Sequence, residues 1–316
     1  MKHFLGIDTS CYTTSVAILN ESGRLIADKR RILSVKAGGK GLSQSEMVFQ
    51  HTRNLPFLVE EAVADCQFPL ELAGVCVSAF PRPIPDSYMP AFLVGEGYAR
   101  ALTTINRIEL WRLSHQELHI LAGIWSSGGP HTDRFLAVHV SGGTTEIVLV
   151  TKADRFDIKL IGGTQDLNAG QFIDRVGVAL KLPFPAGPHL ESIASEYHQN
   201  ACPIPVSVKG MLASFSGPAS HAQRMIDKGI DSQALAAGVE ICIAKTLAKI
   251  IIAAILETGV TDVLMVGGVM SNNFIRTSIS QTIIHYDAKV RLYFPDKKFS
   301  PDNAVGAAYY AMLNGT

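Results

Sequence analysis

The sequence predicts a duplicated α/β fold of two lobes, and three observations predict it. A meander of short β-rich runs occurs twice along the chain, near residue 1 and again from Phe135. After each meander, helix-like and strand-like runs alternate, the pattern expected of helices packed on a largely parallel sheet. At 316 residues with 47% hydrophobic and 18% charged residues, the chain can fill two cores of ordinary size.

The elements follow in order. KHFLGIDTS, TTSVAILNESG and RLIADKRRIL are three β-rich runs broken by polar or Gly-containing turns, which predicts an antiparallel meander. Apolar residues at helical spacing predict a helix from about Ser43 to Cys66. LAGVCVSAF is a continuous apolar run of the kind found in a strand buried on both faces. PAFLVGEGYARALTTI reads as a helix behind Pro90, and IELWRLS as a short strand feeding a helix that carries His115 and His119. RFLAVHVSGG, TTEIVLVTKA and RFDIKLIGGT form the second meander, followed by a helix over roughly 168–180. A Pro-, Gly- and Ser-rich stretch over about 183–231 is expected to be an insertion or cap. The alternation then resumes with a long apolar helix, VLMVGG as a buried strand, a helix from about Asn272, VRLYFP as a strand and a last helix after Pro301. These boundaries give an N-terminal lobe over 1–130 and a C-terminal lobe over 131–316, with ligands expected at strand carboxyl ends facing a cleft between the halves.

Composition excludes several classes. Twenty-eight basic residues balance 28 acidic ones, so charge does not advertise a nucleic-acid groove or a membrane surface. A tRNA partner is therefore possible but not indicated by charge. The five cysteines, Cys11, Cys66, Cys76, Cys202 and Cys242, are odd in number and never in CxxC spacing, which argues against a disulfide framework and a cysteine-cluster zinc site. Cys11 is expected to be a small buried residue, because nothing near it in sequence would lower its pKa. MKHFLGIDTS enters a strand-like segment without the regions of a secretory leader, and the cytoplasm fits best. Glu240, Lys245 and Lys249 interrupt the most apolar run, which reads as a buried helix and not a membrane span.

The most informative pair is His115 and His119 in WRLSHQELHILAG. Imidazoles four residues apart on a helix share a face, roughly 5–6 Å apart at Cβ, and neutral imidazole is a common metal ligand. The best third ligand is Asp302 in SPDNAVGAAYYAML, at the start of the last helix. Against this stands the plain alternative of solvent-facing or helix-capping histidines. HQELH is not HExxH, so Glu117 falls off the ligand face and cannot be a protease base. Ser141-Gly142-Gly143-Thr144-Thr145, between the first two strands of the second meander, offers backbone N–H groups and hydroxyls to an oxyanion, although Gly-Gly also suits a simple hairpin turn. Gly267-Gly268 after a buried strand would let a nucleoside lie against backbone. Asp174 could reach a ribose hydroxyl or be a solvated helix carboxylate. Asp8, ending the first strand, is equally a contact to metal or water and a turn cap.

LGIDTSCYTTSVA, LPFLVEEA, FLVGEGYARAL, SHQELHILAG, FLAVHVSGGTTEIVLV, FPAGP, ASFSG, VLMVGGVMSNN and LYFP…SPDNAVGAAYYA occur in this order along nearly the whole chain. Together they resemble the TsaD family, once labelled O-sialoglycoprotein endopeptidases. The resemblance implies the actin/sugar-kinase/Hsp70 (ASKHA) fold and transfer of a threonylcarbamoyl group from its adenylate to an adenosine in tRNA. It implies one divalent ion, iron or zinc, on His115, His119 and Asp302. It implies ATP or an adenylate held by Val140, Ser141, Gly142, Gly143 and Thr144, with Asp174, Gly187 and Asn272 at the nucleotide moiety. Asp8 and Thr13 are the candidate catalytic residues, and protein partners or a homodimer are expected. The departures are specific. Tyr12 and Thr13 stand where the family's SCDETS has Asp and Glu, Thr144 replaces a histidine, Gln171 a glutamate and Ala219 a lysine, and a Pro-rich segment from Pro81 to Phe92 replaces a shorter turn. An alternative reading is accordingly a catalytically silent paralogue acting as a dimerisation or regulatory partner.

Overall fold

β-Branched and aliphatic residues dominate both meanders, and in the computed structural model each forms one side of a sheet; residues 1–10, 12–35, 42–66, 69–152, 156–195 and 197–315 are described. In the first, β1 (Lys2–Asp8), β2 (Thr13–Asn20) and β3 (Leu25–Ile32) pair antiparallel, with Ile7 opposite Val16 and Ala17 opposite Asp28. β4 (Glu71–Phe80) then joins β1 in parallel and β5 (Glu109–Ser114) joins β4. The five-stranded order is β3-β2-β1-β4-β5. The crossovers are α1 (Gln44–Ala64), capped by the Ser43 hydroxyl on the Glu46 N–H, and α2 (Phe92–Asn106), as parallel pairing requires.

The second half repeats the plan. β6 (Arg134–Val140), β7 (Thr145–Thr151) and β8 (Asp157–Thr164) form the meander, and β11 (Asp262–Val266) and β12 (Arg291–Tyr293) add in parallel on the β6 side. The seven-stranded order is β12-β11-β6-β7-β8-β10-β9. Its first five positions mirror the first sheet strand for strand.

The stretch expected to be an insertion is part of this sheet. It forms α5 (Gly187–Ala194), β9 (Ser207–Lys209), β10 (Leu212–Ser214) and α6 (Ser216–Asp227), and β10 pairs in parallel with β8. Turn-forming residues obscured strands only three residues long. α4 (Ala169–Ala179), α7 (Ser232–Thr258) and α8 (Asn273–Tyr286) complete the unit, and α7 is buried along most of its length. Among the described residues no helix is long and apolar enough to cross a membrane.

The chain divides into two compact units, Met1–Ser126 with Pro301–Thr316, and Ser127–Ser300. The sequence boundaries ran the second lobe to the C-terminus, whereas α9 (Val305–Asn314) packs on β1, β2 and β4 of the first unit. Its small residues are the reason. A Cβ at Gly306 would run into the Leu118 carbonyl oxygen, so only glycine allows α9 to lie this close to α3 (His115–Ser127).

Candidate functional site

α3 starts abruptly at the end of β5, and its start is held by a reciprocal cap. The Ser114 hydroxyl accepts the Glu117 N–H at 3.2 Å, while the Glu117 carboxylate accepts both the Ser114 N–H and its hydroxyl at 2.7 Å. Glu117 is thus buried in a capping role. His115 and His119 then share one face, with their Nε2 atoms 3.0 Å apart. The Asn303 side chain, just outside α9, accepts the Val305 N–H, and the preceding Asp302 places Oδ1 3.6 Å from His115 Nε2 and 3.3 Å from His119 Nε2.

All three donors belong to the first unit and lie within 4.8 Å of one another. Zinc-type bonds of about 2.0–2.2 Å put neighbouring donors roughly 3.0–3.6 Å apart, the range seen here. Two imidazole nitrogens and a carboxylate oxygen suit zinc or iron, so the donor set fits an ion by chemistry and by spacing.

Asp8 completes the arrangement from behind. It is fully buried at the end of β1, with Oδ2 3.2 Å from His115 Nδ1. Its carboxylate accepts the Ser78 hydroxyl at 2.5 Å, the Ser10 N–H at 3.1 Å and the Ser10 hydroxyl at 2.9 Å. Both readings of Asp8 therefore have a structural counterpart, since it caps its own turn and also faces a candidate ligand. Burial opposes charge on His115, yet Asp8 and Asp302 outweigh it and hold the imidazole well above its ordinary range. Burial likewise disfavours the Asp302 carboxylate, and His115 with His119 overcomes this, keeping it well below the usual carboxylate range. Two carboxylates, Asp8 at Nδ1 and Asp302 at Nε2, thus flank the His115 imidazole.

Thr13 is placed differently. It opens β2 opposite Ile32, and no hydrogen bond among the described residues joins it to the triad. Its neighbour Tyr12 is 42% exposed. Cys11 lies outside the described residues.

The remaining candidates lie in the second unit. Val140 is buried at the end of β6, paired with Thr145, and the Ser141 N–H donates to the Thr144 carbonyl at 2.7 Å to close the turn. The N–H groups of Gly143 and Thr144 converge on the Ser141 hydroxyl oxygen at 3.2 and 3.1 Å. A Cβ on Gly142 or Gly143 would meet nothing within 4 Å, so the space above this turn is open. The start of α4 is tied to the turn, as the Ala169 N–H donates to Thr145 Oγ1 and the Gly170 N–H to the Ser141 carbonyl. Gln171 retains a capping role, accepting the Asn168 N–H at 3.1 Å.

Asp174 Oδ1 accepts the Ala186 N–H at 2.8 Å, which anchors Gly187 at the first position of α5, and burial pushes its carboxyl up. Asn272 caps α8 by accepting the Ile275 N–H at 2.9 Å and donates Nδ2 to Glu240 at 2.5 Å. At Gly267, φ is +99°, and a Cβ there would strike the Val140 carbonyl oxygen, so the strand-to-helix turn before Asn272 needs glycine.

Several residues in these surroundings escaped the sequence reading. Ser78 holds Asp8 from β4. His51 is buried on α1, with Nδ1 2.8 Å from the Thr14 hydroxyl, and burial lowers its pKa to about 4. Glu240 was notable in the sequence only as a charge inside an apolar helix; its partner His198 carried no signal.

The mirrored sheets form an ASKHA-type fold, and solved structures share it. A HypF structure in its phosphate- and nucleotide-bound form superposes with a TM-score of 0.63 at 12% identity, over 100% of this chain and 56% of that one. A Streptomyces griseus ROK family glucokinase gives 0.52 at 12%, over 99% and 100%. The family model for TsaD, described as tRNA N6-adenosine threonylcarbamoyltransferase, matches residues 35–309. A Thermus thermophilus relative named tRNA N6-adenosine threonylcarbamoyltransferase is 32% identical, over 97% of this chain and 91% of its own length. The chain belongs to the TsaD family, a family of transferases.

Proposed function

We propose that this chain forms N6-threonylcarbamoyladenosine in tRNA using an ion held by His115, His119 and Asp302. The observation that carries the reading is the convergence of those three donor atoms at single-ion spacing, in a member of a family whose relatives bear that activity in their names. In the reaction, the adenosine N6 amine attacks the carbamoyl carbon of the threonylcarbamoyl adenylate. A C–N bond forms, the bond from that carbon to the phosphate oxygen breaks, AMP leaves with the electron pair, and the amine gives up a proton. When bound, an iron or zinc ion supplies Lewis-acid charge and a template for the oxygens of the transferred group.

The chain's own residues have distinct tasks on this reading. Asp8, fixed by Ser78 and Ser10, holds His115 Nδ1 so that Nε2 faces the ion, as carboxylate partners of metal-bound histidines do. In the turn Val140–Thr144, the phosphate side of an ATP or adenylate ligand takes over the Gly143 and Thr144 N–H groups from the Ser141 hydroxyl that accepts them in the free chain. Asp174, Gly187 and the Gly267–Asn272 turn take the nucleoside side. Protein partners or a second copy complete the working assembly, and the cytoplasm is the site of action.

The test is a tRNA modification assay with threonylcarbamoyl adenylate, run beside elemental analysis of wild type and His119→Ala. Modification and bound ion should both be lost in the variant; unchanged modification in His119→Ala rejects the ion-dependent reading. A second reading rests on one observation, the exposed Tyr12 with Thr13 where the family pattern has two carboxylates. It holds that the chain keeps the fold as a dimerisation or regulatory partner, and wild-type protein that binds the ion but neither binds ATP nor modifies tRNA would favour it.

A further inference from the structure

Glu240 sits in the N-terminal half of α7 with its side chain wholly out of solvent. Such a carboxylate is costly to bury unless its oxygens are engaged, and an aliphatic side chain of similar size would often serve stability as well or better. What a carboxylate adds is a pair of directional acceptors. Here Oε1 takes the Asn272 Nδ2 donor at 2.5 Å and Oε2 meets His198 Nε2 at 2.6 Å. Those partners come from separate segments. Asn272 is the cap of α8, and His198 lies in the short turn 198–200, stacked on Phe274 with ring centroids 3.6 Å apart. Glu191 of α5 is a further acidic group near it, and accepts the Asn273 N–H at 2.8 Å.

We infer that Glu240 is a positioning residue for the turn Gly267–Asn272. Resting on the nucleotide reading of that turn, the inference adds that Glu240 sets nucleoside affinity without touching the ligand. At one end Gly267 lies too close to the Val140 carbonyl to admit a Cβ; at the other, Asn272 is fixed by Glu240 and in turn holds the Ile275 amide. Because Asn272 offers its oxygen to Ile275 and its amide to Glu240, the side chain has one orientation that satisfies both. Removing the acceptor frees that amide to rotate, and the backbone of the turn loses its outer anchor.

The experiment compares Glu240→Gln, Glu240→Leu and Glu240→Asp. ATP affinity is measured by calorimetry, Ile275 amide exchange without ligand, and folding by thermal melting. Gln keeps an acceptor for Asn272 and should bind ATP within about threefold of wild type with Ile275 protected. Leu should weaken ATP binding about tenfold or more and expose Ile275 to exchange while the melt remains cooperative. Should Leu not fold, Asp carries the test, since it keeps the charge but shortens the arm and should behave as Leu does. Folded Leu or Asp variants with wild-type ATP affinity and a protected Ile275 would overturn the inference. Wild-type protein with no ATP affinity would overturn the nucleotide reading, while the exchange pattern would still support Glu240 as the residue that orders the turn.

Discussion

The two meanders fold alike but their first turns do opposite work. In the first unit, Asp8, Thr9 and Ser10 are fully buried, and their side chains are engaged inward. Thr9 Oγ1 donates to the Ala91 carbonyl and accepts the Gly95 N–H at the start of α2, and Ser10 binds back to Asp8. In the second unit, Ser141 is half-buried, Gly142 and Gly143 are exposed, and the turn's N–H groups point to a small hydroxyl beneath open space. At one position of the repeated fold a buried carboxylate lies against a neighbouring imidazole; at the other an exposed turn has open space over its glycines. The support needs charge, and the surface needs the absence of side chains.

The largest effect that sharpens this contrast concerns the imidazoles themselves. His119→Ala should abolish tRNA modification to background, a larger loss than the roughly 10–100-fold that a supporting carboxylate controls, with ATP affinity in the second unit's turn preserved. Asp8→Asn comes next. It should weaken zinc or iron binding by about 10–100-fold and leave ATP affinity within twofold, as read by competition with a chromogenic chelator. Equal loss of both ligands would erase the distinction between the two turns.

Acid provides a third probe of the buried support. His51, bonded to Thr14 just beyond the first turn, has its pKa lowered from 6.5 to about 4. The unfolded chain therefore binds a proton that the folded chain refuses, so stability is fully present above pH 6.5 and declines as pH falls toward 4. The loss should be on the order of 3 kcal/mol. Denaturant titrations of wild type and His51→Gln across this window should show a shallower decline in the variant, and parallel curves would remove His51 from the account.

The smallest effect falls on the open turn. Gly142→Val places a side chain where nothing stands within 4 Å, so stability should change by no more than about 0.5 kcal/mol. ATP affinity should nonetheless fall about tenfold, or about 1.4 kcal/mol, because the branched side chain blocks approach to the backbone donors. Undiminished affinity would mean that the exposed turn is only a hairpin.

Much of this was legible in the sequence because it rests on local spacing. The meanders, the buried strands and the long helices follow from periodicity. His115 and His119 share a face through helical repeat alone, and Asp302 was legible through its place before the last helix. Elements set by long-range pairing were not legible. β9 and β10 are three residues each in a Pro- and Gly-rich stretch, and only their partner β8 makes them strands. The assignment of α9 to the first unit depends on a close approach at Gly306 that local pattern does not encode. Ser78 and Glu240 were invisible as site residues for the same reason, since Ser78 lies 70 positions from Asp8 and Glu240 lies 32 from Asn272.

The most direct measurement is equilibrium dialysis of the purified chain against zinc or iron, followed by elemental analysis, in wild type and Asp302→Ala. The account predicts one ion per chain in wild type and its loss in the variant, with the thermal melt unchanged in form. Full ion content in a folded Asp302→Ala variant would contradict it.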